Sequence, residues 1–148
     1  MVESSLARVP SAANGARRIA FNHTSTQTAP VPLLTLDEMT LEARCGGSPA
    51  AELLLNVNST SSADLNWVFN FRDNDQGATS PVAAGKAIGA NTKHNQVTTV
   101  GALDGFEGAE GQLIYHNAKR VIALTLHLVA NANTGRCQVT GVAAAAPG

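Results

Sequence analysis

The chain has 148 residues, enough for one domain with a sizeable core, and charged residues make up only 14% of it. Its 10 lysines and arginines nearly balance its 11 aspartates and glutamates, so the composition does not favour binding to nucleic acid or to an anionic membrane. The apolar runs are short and interrupted, well below the roughly 18 residues that a membrane-spanning helix needs.

The N-terminal segment, residues 1–16, is rich in Ser, Ala and Gly without any period, which predicts a flexible leader or arm. It lacks the apolar h-region of a signal peptide, so it indicates either a cytoplasmic or virion protein or a domain excised from a longer chain. We expect one domain over residues 17–146 and a tail over residues 147–148.

Short β-favouring runs separated by turn residues begin after this leader. The first predicted strand is 18–21. The segment 24–32 is predicted to be a linker, because its two prolines cannot join the ladder of an interior strand. Residues 39–45 alternate strictly between apolar and polar, which is typical of a half-buried strand.

The next two runs, 52–57 and 65–71, are predicted to pair with each other through the connection at 59–62. The second run holds most of the aromatic mass, so we expect the core there. The side chains predicted to share its inner face are Leu65, Trp67, Phe69 and Phe71. An alternative role for Trp67 is a stacking platform for a ligand.

The segment 73–96 has few large apolar residues and is longer than an ordinary connection, which predicts a functional or mobile loop at a sandwich edge. The residues that would form a surface or ligand site on this loop are Asp73, Asp75, Lys86, Lys93 and His94. Its start, 73–77, weakly resembles a calcium loop, but no glutamate follows at the position that would complete the coordination shell.

The C-terminal part is predicted to contain a strand at 97–103 that ends in an Asp-Gly turn, and a hairpin formed by 112–116 and 119–130. A turn at 131–135 and a last strand at 136–142 follow, and then an alanine-rich tail. The side chains predicted to face inward in the second arm of the hairpin are Ile122, Leu124, Leu126 and Leu128. With about eight strands and no helix, we expect an antiparallel β-sandwich, of which a jelly roll is one form.

The two cysteines, Cys45 and Cys137, lie far apart in the sequence and do not form a CxxC metal or redox unit. A disulfide between them would stabilise the domain by about 4–5 kcal/mol in the chain-entropy model. Two buried, reduced thiols are the alternative.

No catalytic or metal-binding motif is recognisable, so we predict no enzyme, no cofactor and no metal. The four histidines are scattered, and a serine nucleophile elbow is absent. Three carboxylates, Asp104, Glu107 and Glu110, lie among glycines, which is typical of a solvated loop. A glycosidase needs a pair of carboxylates, so a small glycan-acting hydrolase is kept as a third hypothesis for function.

Two strand motifs resemble those of uncharacterised secreted β-sandwich domains in actinobacterial surface proteins. In that family an L-x-A-x-C strand opens the domain and a C-x-V/F-x-G-x-A strand closes it; here these are LEARC at 41–45 and CQVTGVA at 137–143. The resemblance covers about residues 17–146. It implies a β-sandwich in which Cys45 pairs with Cys137, and it assigns no catalytic residues.

The first hypothesis for function is therefore a non-catalytic structural or adhesive domain, extracellular or on a cell surface, that acts through its surface and by self-association. Its expected partners are further copies of itself, for example in a trimer, and a glycan or a surface protein. The alternative is a virion component, such as a capsid decoration or fibre domain, in which the segment 1–16 would be an arm.

Overall fold

The computed structural model of the protein describes residues 16–26, 28–47, 50–73, 77–78, 81–102 and 104–148. These residues form antiparallel strands and no helix. In chain order the strands are β1 (Arg17–Thr24), β2 (Val31–Leu36), β3 (Met39–Gly46), β4 (Ala51–Ser59), β5 (Ala63–Asp73), β6 (Gly77–Ala78), β7 (Val82–Ile88), β8 (Thr92–Ala102), β9 (Phe106–His116), β10 (Arg120–Asn131) and β11 (Arg136–Pro147).

The strands form two sheets. In the large sheet the order is β1-β11-β10-β9-β5, and β6 and β7 pair with successive parts of the far side of β5. The small sheet has the order β2-β3-β4-β8. Apolar side chains from both sheets form one buried cluster between them. The predicted β-sandwich is confirmed, although it has more strands than the expected eight.

Strands β9, β10 and β11 form a continuous antiparallel meander. The predicted hairpin is confirmed, since Val121 pairs with His116 across its turn. In the turn between β10 and β11, Gly135 has a φ of 62°, a left-handed conformation that glycine adopts without steric cost. The four side chains predicted to face inward on β10 are at most 1% exposed.

The alanine-rich tail predicted after residue 142 is wrong, because β11 continues to Pro147. The added residues complete the hairpin with β10: Ala143 pairs with Leu124, and Pro147 with Arg120. The Gly148 N–H then donates to the Lys119 carbonyl oxygen at 2.8 Å. Alanine has a low intrinsic preference for strands, but pairing with a long neighbouring strand overrides that preference. The predicted leader, apart from Ala16, lies outside the described residues.

The predicted pairing of β4 with β5 is wrong. Strand β4 lies between β3 and β8 in the small sheet, whereas β5 pairs with β9 in the large sheet. The connection between them therefore crosses from one sheet to the other. Alternation shows which face of a strand is buried but not which strand lies beside it, and here both apolar faces meet the same core from opposite sides.

The segment 73–96 is not the predicted loop, since it contains β6, β7 and the start of β8. Its position at an edge of the sandwich agrees with the prediction. Residues Val82 to Ala87 are all exposed although they pair with β5. The segment lacks large apolar residues because β7 lies at an edge of the large sheet where little covers it.

The predicted linker at 24–32 runs into β2, which pairs with β3 and, among the described strands, forms an edge of the small sheet. Pro32 lies opposite Glu42, and the register shifts between Pro32 and Leu34. Proline is tolerated at such positions, because an edge strand needs no N–H on its outer side and a bulge interrupts the ladder.

Aromatic residues of β5 contribute to the core as predicted, but they do not all lie deep inside it. Leu65 and Phe69 are at most 1% exposed, whereas Trp67 and Phe71 are only partly buried against the core. Tyr115, Leu113 and the leucines of β10 are equally buried. The centre of the core therefore extends across β9 and β10.

Candidate functional site

The predicted ligand residues of the segment 73–96 do not come together. Asp73 ends β5, whereas Lys86 pairs with Leu65 near the other end of the same strand. Lys93 and His94 lie on β8 in the other sheet. Asp75 lies outside the described residues, as does much of the calcium-like run. Among the described residues no group of three or more His, Cys, Asp or Glu side chains could hold a metal ion.

His94 does belong to a polar cluster, on the outer face of the small sheet. It has a φ of 57° at an irregularity in the pairing of β8 with β4. Its ring Nδ1 contacts the carboxylate of Glu42, which is only 5% exposed. Asn58 joins both residues: its Nδ2 donates to Glu42 Oε2 at 3.1 Å, and its Oδ1 accepts the His94 N–H at 2.6 Å. The cluster ties β3, β4 and β8 together.

This cluster has the chemistry of a structural link between strands. The buried Glu42 carboxylate gains hydrogen-bond partners, which offsets the cost of removing it from water. The His94 ring covers that carboxylate while its own side chain stays 56% exposed. Sequence reasoning missed Glu42 and Asn58, because the three residues are far apart in the chain and no local motif connects them.

A groove of about 410 Å³ lies beside this cluster on the outer face of the small sheet. Its lining residues are Pro30, Arg44, Leu54, Asn56, His94 and Gln96. Within the described part of the chain, Asn56 Oδ1 is the buried side-chain polar atom that has no hydrogen-bond partner. That oxygen is itself inaccessible to solvent, so a ligand in the groove would not reach it.

A second polar cluster lies at one end of the sandwich, around the buried hydroxyl of Tyr115. Ser59 Oγ and Ser61 Oγ lie 2.7 and 3.1 Å from this hydroxyl. Asn117 Nδ2 donates to Glu38 Oε1 at 3.0 Å, and Arg120 Nε donates to the same oxygen at 2.8 Å. The hydrogen bond from Asn117 and then that from Arg120 hold the pKa of Glu38 below its usual value.

A second groove, of about 300 Å³, lies on the outer face of the large sheet near the start of β9. The residues that line it are Asn70, Arg72, Phe106, Gly108, Ala109, Glu110, His127 and Val129. Glu110 Oε2 and His127 Nδ1 are 3.5 Å apart across the β9–β10 pair. The alternation of exposed and buried positions over residues 106–116 indicates this strand. The glycines in its first half instead predicted a loop.

The carboxylates that the hydrolase hypothesis uses are not arranged as a pair. Glu107 lies opposite Ala130, which is fully buried, whereas Glu110 lies opposite the exposed His127. The two glutamates therefore point to opposite faces of the sheet. Glu107 Oε1 also accepts the Gly101 N–H at 2.7 Å, and Asp104 is exposed in the preceding turn.

The two cysteines form a disulfide, which confirms the predicted pairing. Cys45 lies on β3 of the small sheet and Cys137 at the start of β11 of the large sheet, with their Cα atoms 5.8 Å apart. Both residues are fully buried. The disulfide therefore joins the two sheets through the core.

No known protein family, curated protein or solved structure gives a significant match to this chain. The resemblance to actinobacterial surface proteins therefore stays a prediction, and function has to be argued from the sites themselves. In the part of the chain that the structure describes, no helix is long and apolar enough to cross a membrane.

Proposed function

We propose that this chain is a non-catalytic extracellular domain, structural or adhesive in role, that acts through its surface and by self-association. The observation that carries the proposal is the edge of the large sheet at β7, where no strand of the described residues pairs with the outer side. The disulfide between the two sheets supports the extracellular part, because disulfides form and persist mainly in oxidising compartments.

The inner face of the large sheet continues past the small sheet at this edge. Ala84 lies opposite Trp67, and Val82 lies opposite the buried Phe69, so both point to the core side of the sheet. Val82 is nevertheless 51% exposed and Ala84 is also exposed. Together with the partly buried Trp67 they form an apolar surface, which we call the ledge. Exposed apolar surface of this kind commonly marks an interaction site.

The backbone of β7 supports the same conclusion. One side of the strand pairs with β5, and no described strand pairs with its other side. An exposed edge is a template for pairing with another chain, and natural proteins block it with charges, prolines or bulges. Strand β7 carries a single charge, Lys86. Like charges directly opposite each other are destabilising, so this lysine restricts pairing of two copies to registers that keep the two Lys86 side chains apart.

The experiment is size-exclusion chromatography with light scattering on the wild-type chain and on the double variant Val82→Lys/Ala84→Lys. We expect the wild type to be oligomeric and the double variant, with charge on the ledge, to be monomeric. The mass of the wild-type oligomer gives the number of copies. We expect either a trimer, as predicted from the sequence, or the dimer that antiparallel pairing of two β7 strands would produce.

The matched control is the double variant Ala144→Lys/Ala146→Lys, which adds the same two charges at exposed alanines on β11. It should keep the wild-type mass. A wild-type chain that stays monomeric at the highest concentration reached, or a double variant with unchanged mass, would overturn self-association through this edge.

A further inference from the structure

Among the described residues, three of the four exposed large apolar side chains lie on the outer face of the large sheet. They are Val68, 37% exposed, Phe106, 44%, and Val142, 51%. Val142 lies opposite the exposed Thr125, and Val68 opposite the exposed Gln112, so this face is turned to solvent. Phe106 is the aromatic member of this set, and it lines the groove near the start of β9.

A glycine forms the floor of this groove. Gly108 lies between Arg72 on β5 and Val129 on β10 in the same cross-strand row. Because Gly108 has no side chain, the row is indented between its two neighbours. A Cβ at this position would lie 3.2 Å from the Leu128 carbonyl oxygen, so the backbone of β10 lies close beside the floor.

The walls combine one aromatic ring with several hydrogen-bonding groups. Phe106 offers an apolar surface at the end of the groove. The guanidinium of Arg72 only donates hydrogen bonds, the carboxylate of Glu110 only accepts them, and the amide of Asn70 does both. The His127 ring, 3.5 Å from Glu110, adds a further planar polar group.

The charge of the lining favours a neutral ligand. Arg72 and Glu110 carry opposite charges that cancel, so the groove has no net attraction for a phosphate or for a cation. Its volume of about 300 Å³ lies at the lower end of the range of roughly 300–1,000 Å³ for small-molecule sites. A small, neutral ligand with many hydroxyl groups fits these conditions.

We propose that this groove binds a neutral saccharide, with one pyranose ring stacked on Phe106 and its hydroxyls bonded to Arg72, Asn70 and Glu110. A pyranose ring has an apolar C–H face that packs on an aromatic ring, and hydroxyls at its rim that both donate and accept hydrogen bonds. The inference rests on the proposed adhesive function, whose ligand it names.

The test is an NMR titration of the ¹⁵N-labelled chain with glucose, galactose, mannose, N-acetylglucosamine and their β-linked disaccharides. We expect at least one sugar to shift the amide signals of residues 70–72, 106–110 and 127–129, with weak affinity because the groove is open. Phe106→Ala removes the stacking surface and should reduce the affinity at least tenfold. Val142→Ala, which truncates an exposed apolar residue of the same face outside the groove, should bind like the wild type.

The melting temperature of each variant shows whether it is folded. If Phe106→Ala were unfolded, Arg72→Gln would replace it, since Arg72 is exposed and its loss should weaken the same binding. The inference is overturned if none of these sugars shifts the lining residues, if the shifts map elsewhere, or if a folded groove variant binds as tightly as the wild type.

Light scattering separates this result from the proposed function. An oligomeric chain that binds no sugar would leave self-association intact and remove only the saccharide site. A monomeric chain that binds sugar in the groove would keep the saccharide site and remove only self-association.

Discussion

The Tyr115 hydroxyl shows how single residues hold the end of this sandwich together. Its partners come from the β4–β5 crossover and from the β9–β10 hairpin, and Glu38 in the β2–β3 turn reaches the same cluster through Asn117. Buried polar groups stabilise a fold only when their hydrogen bonds are made, and here each group supplies a partner for the next. Three separate turns are thereby fixed relative to one another.

The low pKa of Glu38 leads to a prediction about pH. A carboxylate whose pKa is lower in the folded than in the unfolded chain stabilises the fold above the unfolded pKa, and the stabilisation is lost as pH falls through the folded value. We expect Glu38→Gln to be less stable than the wild type at neutral pH. The difference should shrink as the pH falls below 4.5, the ordinary pKa of a glutamate.

Urea unfolding at a series of pH values measures this difference. Glu52→Gln, at an exposed position on β4, is the control and should change stability little at any pH. A Glu38→Gln defect that stays constant down to the lowest pH would contradict the ionic role of Glu38.

Residue-scale contacts were the least predictable part of the molecule. Inward and outward positions on β10 follow from alternation, which is a local property. The contact between His94 and Glu42 depends on which strands are neighbours and on an irregularity in β8, and neither leaves a local pattern. The groove at Phe106 could be found only by knowing that residues 106–111 form a strand, although this segment contains two glutamates and two glycines.

At the scale of elements, β9 fits between β5 and β10 because its residue 111 is a glycine. A larger residue there would need room on the core side of the sheet, beside Phe69 and Leu126. In one cross-strand row, Phe69 lies opposite Gly111 and Gly111 opposite Leu126, which in turn lies opposite Gly141. Large and small residues therefore alternate along the row. A Cβ at Gly111 would lie 1.9 Å from the Val68 carbonyl oxygen and 2.9 Å from the Phe69 ring.

This packing predicts a strong effect of one added methyl group. Gly111→Ala has to move the β5 backbone, so it should lower the free energy of unfolding by about 3 kcal/mol or more. Gly101→Ala on β8 is the matched control, because a Cβ there meets nothing within 4 Å and should change stability by less than about 0.5 kcal/mol. Chemical denaturation of both variants measures their free energies of unfolding. Equal values for the two variants would contradict the tight packing at Gly111.

Strand pairs could be predicted when the two strands are close together in the sequence. The β9–β10 and β10–β11 hairpins are local, and their turn residues identified them correctly. The assignment of β4 and β5 to different sheets is a non-local choice, and the edge strands β2 and β7 escaped detection because they are exposed and contain prolines or small residues. The apolar pattern is weakest where the core covers a strand least.

At the scale of the whole molecule, the described residues form two sheets that one disulfide joins through the core. Cys45 and Cys137 are separated by 92 positions, so the bond closes a loop that includes most of the strands. In the chain-entropy model a loop of this length stabilises the fold by about 4–5 kcal/mol.

Reduction should therefore lower the free energy of unfolding by about 4 kcal/mol. The measurement is urea unfolding of the oxidised and reduced chains, with intact mass and thiol alkylation to verify each state. Protein isolated from its natural source without reductant should resist alkylation even after unfolding in denaturant, which exposes the two buried sulfurs. Two alkylatable thiols in that material would contradict the proposed extracellular location and favour an intracellularly assembled virion protein.

The same bond decides how the domain would carry mechanical load. A pull between any residue before Cys45 and any residue after Cys137 passes directly from β3 to β11 through the disulfide. The strands from β4 to β10 lie inside the covalent loop and receive no tension along their chain. The loop thus withholds roughly 300 Å of extended polypeptide from stretching. Both the groove at Phe106 and the ledge at β7 belong to this shielded part, so they would keep their shape while the chain on either side is under tension.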